Sequence, residues 1–106
     1  MAHTRESALN TVCDVLEAVT RRGVLAVLRQ LECGTERYND LLRATSMDGK
    51  QLSRALRQAM QVNLVERYVD PRTMPVNIRY RLSERGWKLV EALGRLAEEL
   101  DVAVSA

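Results

Sequence analysis

Residues 49–86 read GKQLSRALRQAMQVNLVERYVDPRTMPVNIRYRLSERG. Leu52, Ala55, Leu56 and Ala59 recur at helical spacing, which predicts a helix over about 49–62 with one apolar face. Its other side holds Lys50, Gln51, Ser53, Arg54, Arg57 and Gln61 and no carboxylate, whereas a solvated face ordinarily mixes both signs of charge. Asn63 fits a left-handed cap after this helix. Leu64–Val69 and Asn77–Leu82 then alternate as half-buried strands do, although Leu64, Arg67 and Tyr68 resist a strict two-residue repeat. Between them, Asp70-Pro-Arg-Thr-Met-Pro-Val76 contains two prolines, which are barred from ladder positions and suit a hairpin tip. Ser83 is placed to cap a final helix that begins Glu84-Arg85-Gly86.

Charge is concentrated in the same section. From Gly49 to Leu89 there are nine basic residues against three acids, a net +6, while residues 1–48 carry −1 and residues 90–106 carry −3. The whole-chain charge of +2 hides one strongly positive section between two acidic ones. Positive charge on a helix and an adjoining hairpin is what a polyanion reader needs. Arginine outnumbers lysine fourteen to two, which suits bidentate phosphate and guanine contacts and equally reflects codon bias in a GC-rich genome.

A chain of 106 residues accommodates one domain with a modest core. Hydrophobic content of 46% and charged content of 28% are those of a folded globular protein. The longest apolar runs are far short of the roughly 20 residues that cross a bilayer. Residues 1–8, MAHTRESA, lack the apolar segment of a secretory signal, so the expected location is cytoplasmic, without membrane contact. Cys13 and Cys33 form no CxxC pair and His3 is the sole histidine, which argues against structural zinc. Both thiols are expected to behave as buried small hydrophobes.

Upstream, Leu9, Val12, Val15, Leu16 and Val19 mark an amphipathic helix over about 5–20, interrupted by Arg21, Arg22 and Gly23. Val24, Leu25, Val27, Leu28 and Leu31 form a second helix ending near Cys33, with Gly34 as its stop. Tyr38, Leu41 and Leu42 mark a short third helix over about 37–45. In the last helix, Leu89–Leu93–Leu96–Leu100 and Val90–Ala97–Val104 make adjacent apolar stripes. One stripe suffices for packing on the core, so the second points to a partner helix. The order α-α-α-α-β-β-α is mainly helical with one small hairpin, and it describes a winged helix-turn-helix. The whole of 1–106 is expected to be a single such domain, its two terminal helices serving dimerisation.

Several segments resemble the HxlR-type winged helix-turn-helix regulators, relatives of MarR. Arg21-Arg-Gly-Val-Leu-Ala-Val-Leu-Arg-Gln-Leu31 is similar to the family's Lys-Trp-plus-aliphatic helix ending in Leu-Arg-Glu-Leu. Gly34-Thr-Glu-Arg-Tyr-Asn-Asp-Leu41 resembles its Gly-x-x-Arg-Phe-Asn-Glu-Leu. Lys50-Gln-Leu-Ser-Arg-Ala-Leu-Arg57 resembles its recognition helix, and Asn63-Leu-Val-Glu-Arg67 its Gly-Leu-Ile-Glu-Arg. Pro75 followed by Tyr80-Arg-Leu-Ser-Glu-Arg-Gly86 resembles its Pro…Tyr-Ser-Leu-Thr-Glu-Lys-Gly. The likeness spans about residues 15–95 in the right order. Four positions depart from it: Arg22-Gly23 stands for Lys-Trp, Asn63 for Gly, and Asn10 where many members carry a cysteine. The resemblance implies a bacterial, DNA-binding transcriptional regulator, a repressor acting as a homodimer.

On this reading Lys50, Gln51, Ser53, Arg54 and Arg57 enter the major groove, where Gln pairs with adenine and Arg with guanine; a solvated face is the alternative. Ser53 and Arg54 are the expected base contacts and Arg57 a phosphate contact. Arg72 at the wing tip (about 69–78) reaches the minor groove or a phosphate, or is a merely exposed loop residue. Arg79, a further expected DNA contact, lines the wing on the same side as Arg81, with Tyr80 turned toward the core. Arg37 and Asn39 open the third helix, where a phosphate, a cap or an ion pair are the open alternatives. Val12, Val15, Leu16, Trp87, Val90, Leu93, Ala97 and Leu100 are the expected dimer contacts. Cys13 beside the first apolar stripe is a packing residue or a thiol sensor. The expected partners are a pseudo-palindromic duplex and a second copy, with no cofactor or metal and with a small-molecule or redox effector left open. Two rivals stand beside this: a winged helix that binds only protein, and an enzyme, for which the chain lacks a nucleophile–base pair, HExxH, GxSxG or a Gly-rich phosphate loop.

Overall fold

The computed structural model describes the backbone of residues 2–100 and the side chains of residues 6–100. Five helices and a hairpin follow in the expected order: α1 (Ala2–Val19), α2 (Val24–Glu32), α3 (Tyr38–Thr45), α4 (Gly49–Gln61), β1 (Val65–Asp70), β2 (Asn77–Leu82) and α5 (Glu84–Glu99). Val104 of the expected second stripe lies outside the described residues.

Local chemistry sets most of the boundaries. At the end of α2, Gly34 takes φ 94°; its N–H donates to Leu31 O at 3.1 Å and the Thr35 N–H donates to Gln30 O at 3.0 Å. These are the paired bonds of a glycine-closed helix end. α4 opens on a reciprocal cap: Gln51 N–H donates to Asp48 Oδ1 at 2.8 Å, and Asp48 N–H donates to Gln51 Oε1 at 3.2 Å. Ser46 after α3 and Asn63 after α4 both sit in the left-handed region, at φ 58° and 60°. Asparagine tolerates that conformation at little cost, which is the role its residue type predicts.

One cluster of buried side chains joins the helices to the base of the hairpin. Leu28, Leu41, Leu52, Leu56 and Leu64 are fully buried within it. Each contributes about 1.5–3 kcal/mol relative to exposure. The strands pair antiparallel from Val65↔Leu82 to Asp70↔Asn77, and only that first pair is buried. Beyond it Tyr80 of β2 still packs half-buried against the core, but β1 is exposed from Glu66 to Val69, which explains why the sequence there does not alternate cleanly: neither side of β1 has a core to face. Leu64 precedes β1 instead of starting it: its carbonyl accepts the Ser83 N–H at 3.0 Å, but its own N–H donates back to Ala59 O at 2.9 Å at the close of α4.

Ser83 ties α4, the hairpin and α5 together. Its hydroxyl donates to Asn63 O at 2.6 Å and accepts the Gly86 N–H at 3.0 Å, the N-cap expected of it. Gly86 meanwhile packs so closely that a β-carbon there would overlap the Leu64 carbonyl oxygen.

Two expectations about surface and interior are corrected. Val15 and Val90, read as dimer contacts, are buried in the core of the chain itself. Each turns inward beside other core residues of its helix, so neither offers surface to a partner. Cys13 and Cys33, read as buried small hydrophobes, are both exposed free thiols. Cys33 is the C-cap of α2, and Cys13 follows Val12 on the side of α1 that faces away from the core.

Candidate nucleic-acid interface

The outward face of α4 presents Lys50, Ser53, Arg54 and Arg57, all exposed. With Tyr38 of α3 and the backbone of Gly49 they line one shallow groove. Lys50, Arg54 and Arg57 make no ion pair among the described residues. Their charge is therefore uncompensated and points to solvent. Ser53 Oγ lies 2.9 Å from the Tyr38 hydroxyl, which itself donates to Gly49 O at 3.0 Å.

Gln51 is not part of this group. Its side-chain carbonyl is engaged by the Asp48 N–H, and it lines a separate depression with Arg22, Gly23 and Met47. Arg37 and Asn39 are exposed at the N-terminus of α3, over a hollow shared with Asn77 and Ile78 at the start of β2. Arg37 caps with no side-chain bond, and nearby Asp40 pairs with Arg43.

The wing arginines are arranged differently from those of α4. Arg72 at the tip is held by Asp70, whose Oδ1 accepts the Arg72 backbone N–H at 3.0 Å and its Nε–H at 3.1 Å. Those two bonds, the backbone one first, hold the Asp70 carboxyl below its ordinary range. Arg79 and Arg81 point to one side, as alternation requires, and both meet Glu36. Arg79 Nη1 donates to Oε1 at 3.4 Å and Arg81 Nε to Oε2 at 3.0 Å. The Arg81 guanidinium also sits 5.0 Å from the Tyr68 ring centroid. Backbone bonds reinforce the junction, since Tyr80 N–H donates to Glu36 O at 2.8 Å and Arg37 bridges Arg79. Glu36 was missing from the sequence reading. Nothing local marks it, because its partners lie 43 and 45 positions away.

The +6 section is thus uneven in its pairing. Arg72, Arg79 and Arg81 are matched by carboxylates, and Arg85 donates to Val62 O at 3.1 Å at the end of α4. Lys50, Arg54, Arg57, Arg67 and Arg85 of this section have no carboxylate paired to them among the described residues, and three of these five share the outer face of α4.

Apolar side chains are left uncovered on the two terminal helices. Leu9, Val12 and Leu16 form a stripe on α1, each at least half exposed, with Cys13 within it. On α5, Trp87, Leu96 and Leu100 are exposed, while Leu93 and Ala97 are half-buried. Among the described residues no group of side chains is arranged to hold a metal, and no helix is long and apolar enough to cross a membrane.

The HxlR-like helix-turn-helix family model matches residues 18–104. The chain belongs to the HxlR-like helix-turn-helix family. It is 30% identical over 84 residues to the uncharacterised HTH-type transcriptional regulator YvaP of Bacillus subtilis, a match covering 78% of this chain and 77% of that one. A MarR-family transcriptional regulator structure from Enterococcus faecalis superposes with a TM-score of 0.75 at 25% identity, covering 94% of this chain and 88% of that one. The homodimeric winged helix-turn-helix DNA-binding domain of Mb0332 from Mycobacterium bovis has the same fold, with a TM-score of 0.72 at 24% identity over 92% of this chain and 88% of that one. As an HxlR-type winged helix-turn-helix, this protein falls among the DNA-binding regulators of transcription.

Proposed function

We propose that this HxlR-type protein binds a pseudo-palindromic DNA duplex as a homodimer in the cytoplasm and represses transcription there. The observation that carries the reading is the α4 face: Lys50, Arg54 and Arg57 exposed together with no carboxylate paired to them. Arginine and lysine on a helix of this size meet guanine O6/N7 and phosphates when the helix lies in the major groove. Arg37 and Asn39, at the start of α3, flank that helix with further phosphate contacts. Arg72 at the wing tip is a further candidate contact, its side chain 82% exposed.

Dimerisation is supported by the uncovered stripes of α1 and α5. Leu9, Val12, Leu16, Trp87, Leu96 and Leu100 would each lose contact with water in a self-association, at about 25 cal/mol per Å² of apolar surface covered. A twofold pair then presents two α4 helices about one DNA turn apart, roughly 34–36 Å. Cys13 lies within that surface and is the residue through which an oxidant or electrophile would act on it.

Selecting bound fragments from random genomic DNA, then measuring affinity against salt, tests the proposal. Affinity should fall by about 0.9 powers of salt per phosphate contacted. Absence of duplex binding even at low salt would hand the function to the protein-interaction reading. Raised transcription of the selected genes in a strain lacking the protein distinguishes repression from activation.

A further inference from the structure

Tyr38 reaches from α3 to the outer face of α4 and makes two hydrogen bonds there, to Gly49 O at 3.0 Å and with Ser53 Oγ at 2.9 Å. A phenol carries one proton. The Gly49 carbonyl can only accept, so that proton lies between Tyr38 and Gly49. The contact with Ser53 is then made by the serine proton, donated to the tyrosine oxygen. A serine hydroxyl also has a single proton. What Ser53 turns outward is therefore lone pairs alone, whereas a freely rotating hydroxyl would offer either a donor or an acceptor.

We infer that Tyr38 is a specificity-determining positioning residue, holding Ser53 as an obligate acceptor so that it selects a base bearing an exocyclic amino group. This rests on the DNA-binding reading above, with α4 in the major groove. There the amino donors are adenine N6 and cytosine N4; guanine and thymine show acceptors at the same edge. An acceptor facing an acceptor gains nothing. For Ser53 to donate to guanine or thymine, the Tyr38 proton must swing from Gly49 to Ser53, and one neutral hydrogen bond is lost, a bias of about fivefold. Phenylalanine stands at this position in the family pattern quoted for residues 34–41, so Tyr38→Phe removes the hydroxyl while keeping a ring that the site accommodates.

Motifs selected from a random duplex library by the wild-type protein, Tyr38→Phe and Ser53→Ala test this. The base pair whose preference disappears in Ser53→Ala is the one Ser53 reads. At that pair, Tyr38→Phe should accept the reversed pair about fivefold better than wild type does, with the rest of the motif unchanged. In wild type, replacing the contacted adenine by purine, or the contacted cytosine by 2-pyrimidinone, should weaken binding about fivefold while leaving Ser53→Ala unaffected. This second comparison tests whether Ser53 reads an amino group as an acceptor. The relaxed preference of Tyr38→Phe is the readout that a purely structural role for Tyr38 would not produce, since a freely rotating Ser53 can accept from an amino group as well. The inference is overturned if Ser53→Ala loses no position, if Tyr38→Phe keeps the wild-type preference there, or if removing the amino group costs nothing. Wild-type protein that selects no motif at all would instead overturn the DNA-binding reading, and the inference with it.

Discussion

Glu36 receives the Nε–H of Arg81 at 3.0 Å, across 45 positions of chain. The same carboxylate accepts from Arg79 at 3.4 Å, so one acid in the turn before α3 neutralises much of the charge on β2. The wing is braced against α3 by this cluster, which pairs Arg79 and Arg81 with one carboxylate. Exposed ion pairs contribute little to stability, about 0–1 kcal/mol, so the effect on DNA outweighs the effect on folding.

Glu36→Gln should therefore tighten duplex binding at low salt and steepen its dependence on salt. With one or two arginines released to phosphates, the slope of log affinity against log salt should grow by about 1 to 2. Fluorescence anisotropy across a salt series measures it, and an unchanged slope would show that Arg79 and Arg81 stay clear of the backbone.

Arg54 and Arg57 should separate by their specificity. Arg54→Ala is expected to cost about 1–3 kcal/mol on the selected site and little on random duplex, because a bidentate base contact is lost. Arg57→Ala should weaken both equally and lower the salt slope by about 1. Equal losses for Arg54→Ala on both duplexes would make it a phosphate contact as well.

Gly86→Ala places a methyl group on the Leu64 carbonyl oxygen, backbone that cannot move without shifting β1. A loss of about 1–3 kcal/mol, or more, is expected in urea denaturation. Gly94→Ala is the control, since nothing lies within 4 Å of its added carbon. There a helical alanine should add about 0.5–1 kcal/mol. Similar stability of the two variants would contradict the close approach.

Leu96→Asp should give a folded monomer, because Leu96 is half exposed in the single chain. Val90→Asp should instead unfold the protein, its side chain lying in the core. Sedimentation and circular dichroism distinguish these outcomes. Thiol kinetics give an independent reading: Cys13 should react more slowly with an alkylating agent than Cys33 in the wild type, and as fast in Leu96→Asp. A dimer that survives Leu96→Asp would move the interface elsewhere.

Much of this architecture can be read from neighbouring residues. Helical spacing of Leu52, Ala55, Leu56 and Ala59, the stops at Gly34 and Asn63, the proline-marked hairpin tip and the Ser83 cap are all interactions within a few positions, so composition and spacing suffice. The acid-free side of α4 is equally local, and the structure leaves Lys50, Arg54 and Arg57 exposed on it. Even the shared direction of Arg79 and Arg81 follows from the two-residue period of a strand.

Long-range packing settled the rest. Whether an apolar residue on an amphipathic helix faces the core or a partner depends on which elements pack against it, and Val15 and Val90 turned inward where their stripes alone were ambiguous. Gln51 carries the right chemistry for adenine, yet the backbone of Asp48 takes its carbonyl. Glu36, Tyr38 and Gly86 owe their roles to Arg79 and Arg81, Ser53, and Leu64, partners that only folding brings within reach. Spacing along a chain encodes direction around a helix or strand, but contact between elements depends on where the whole core places them.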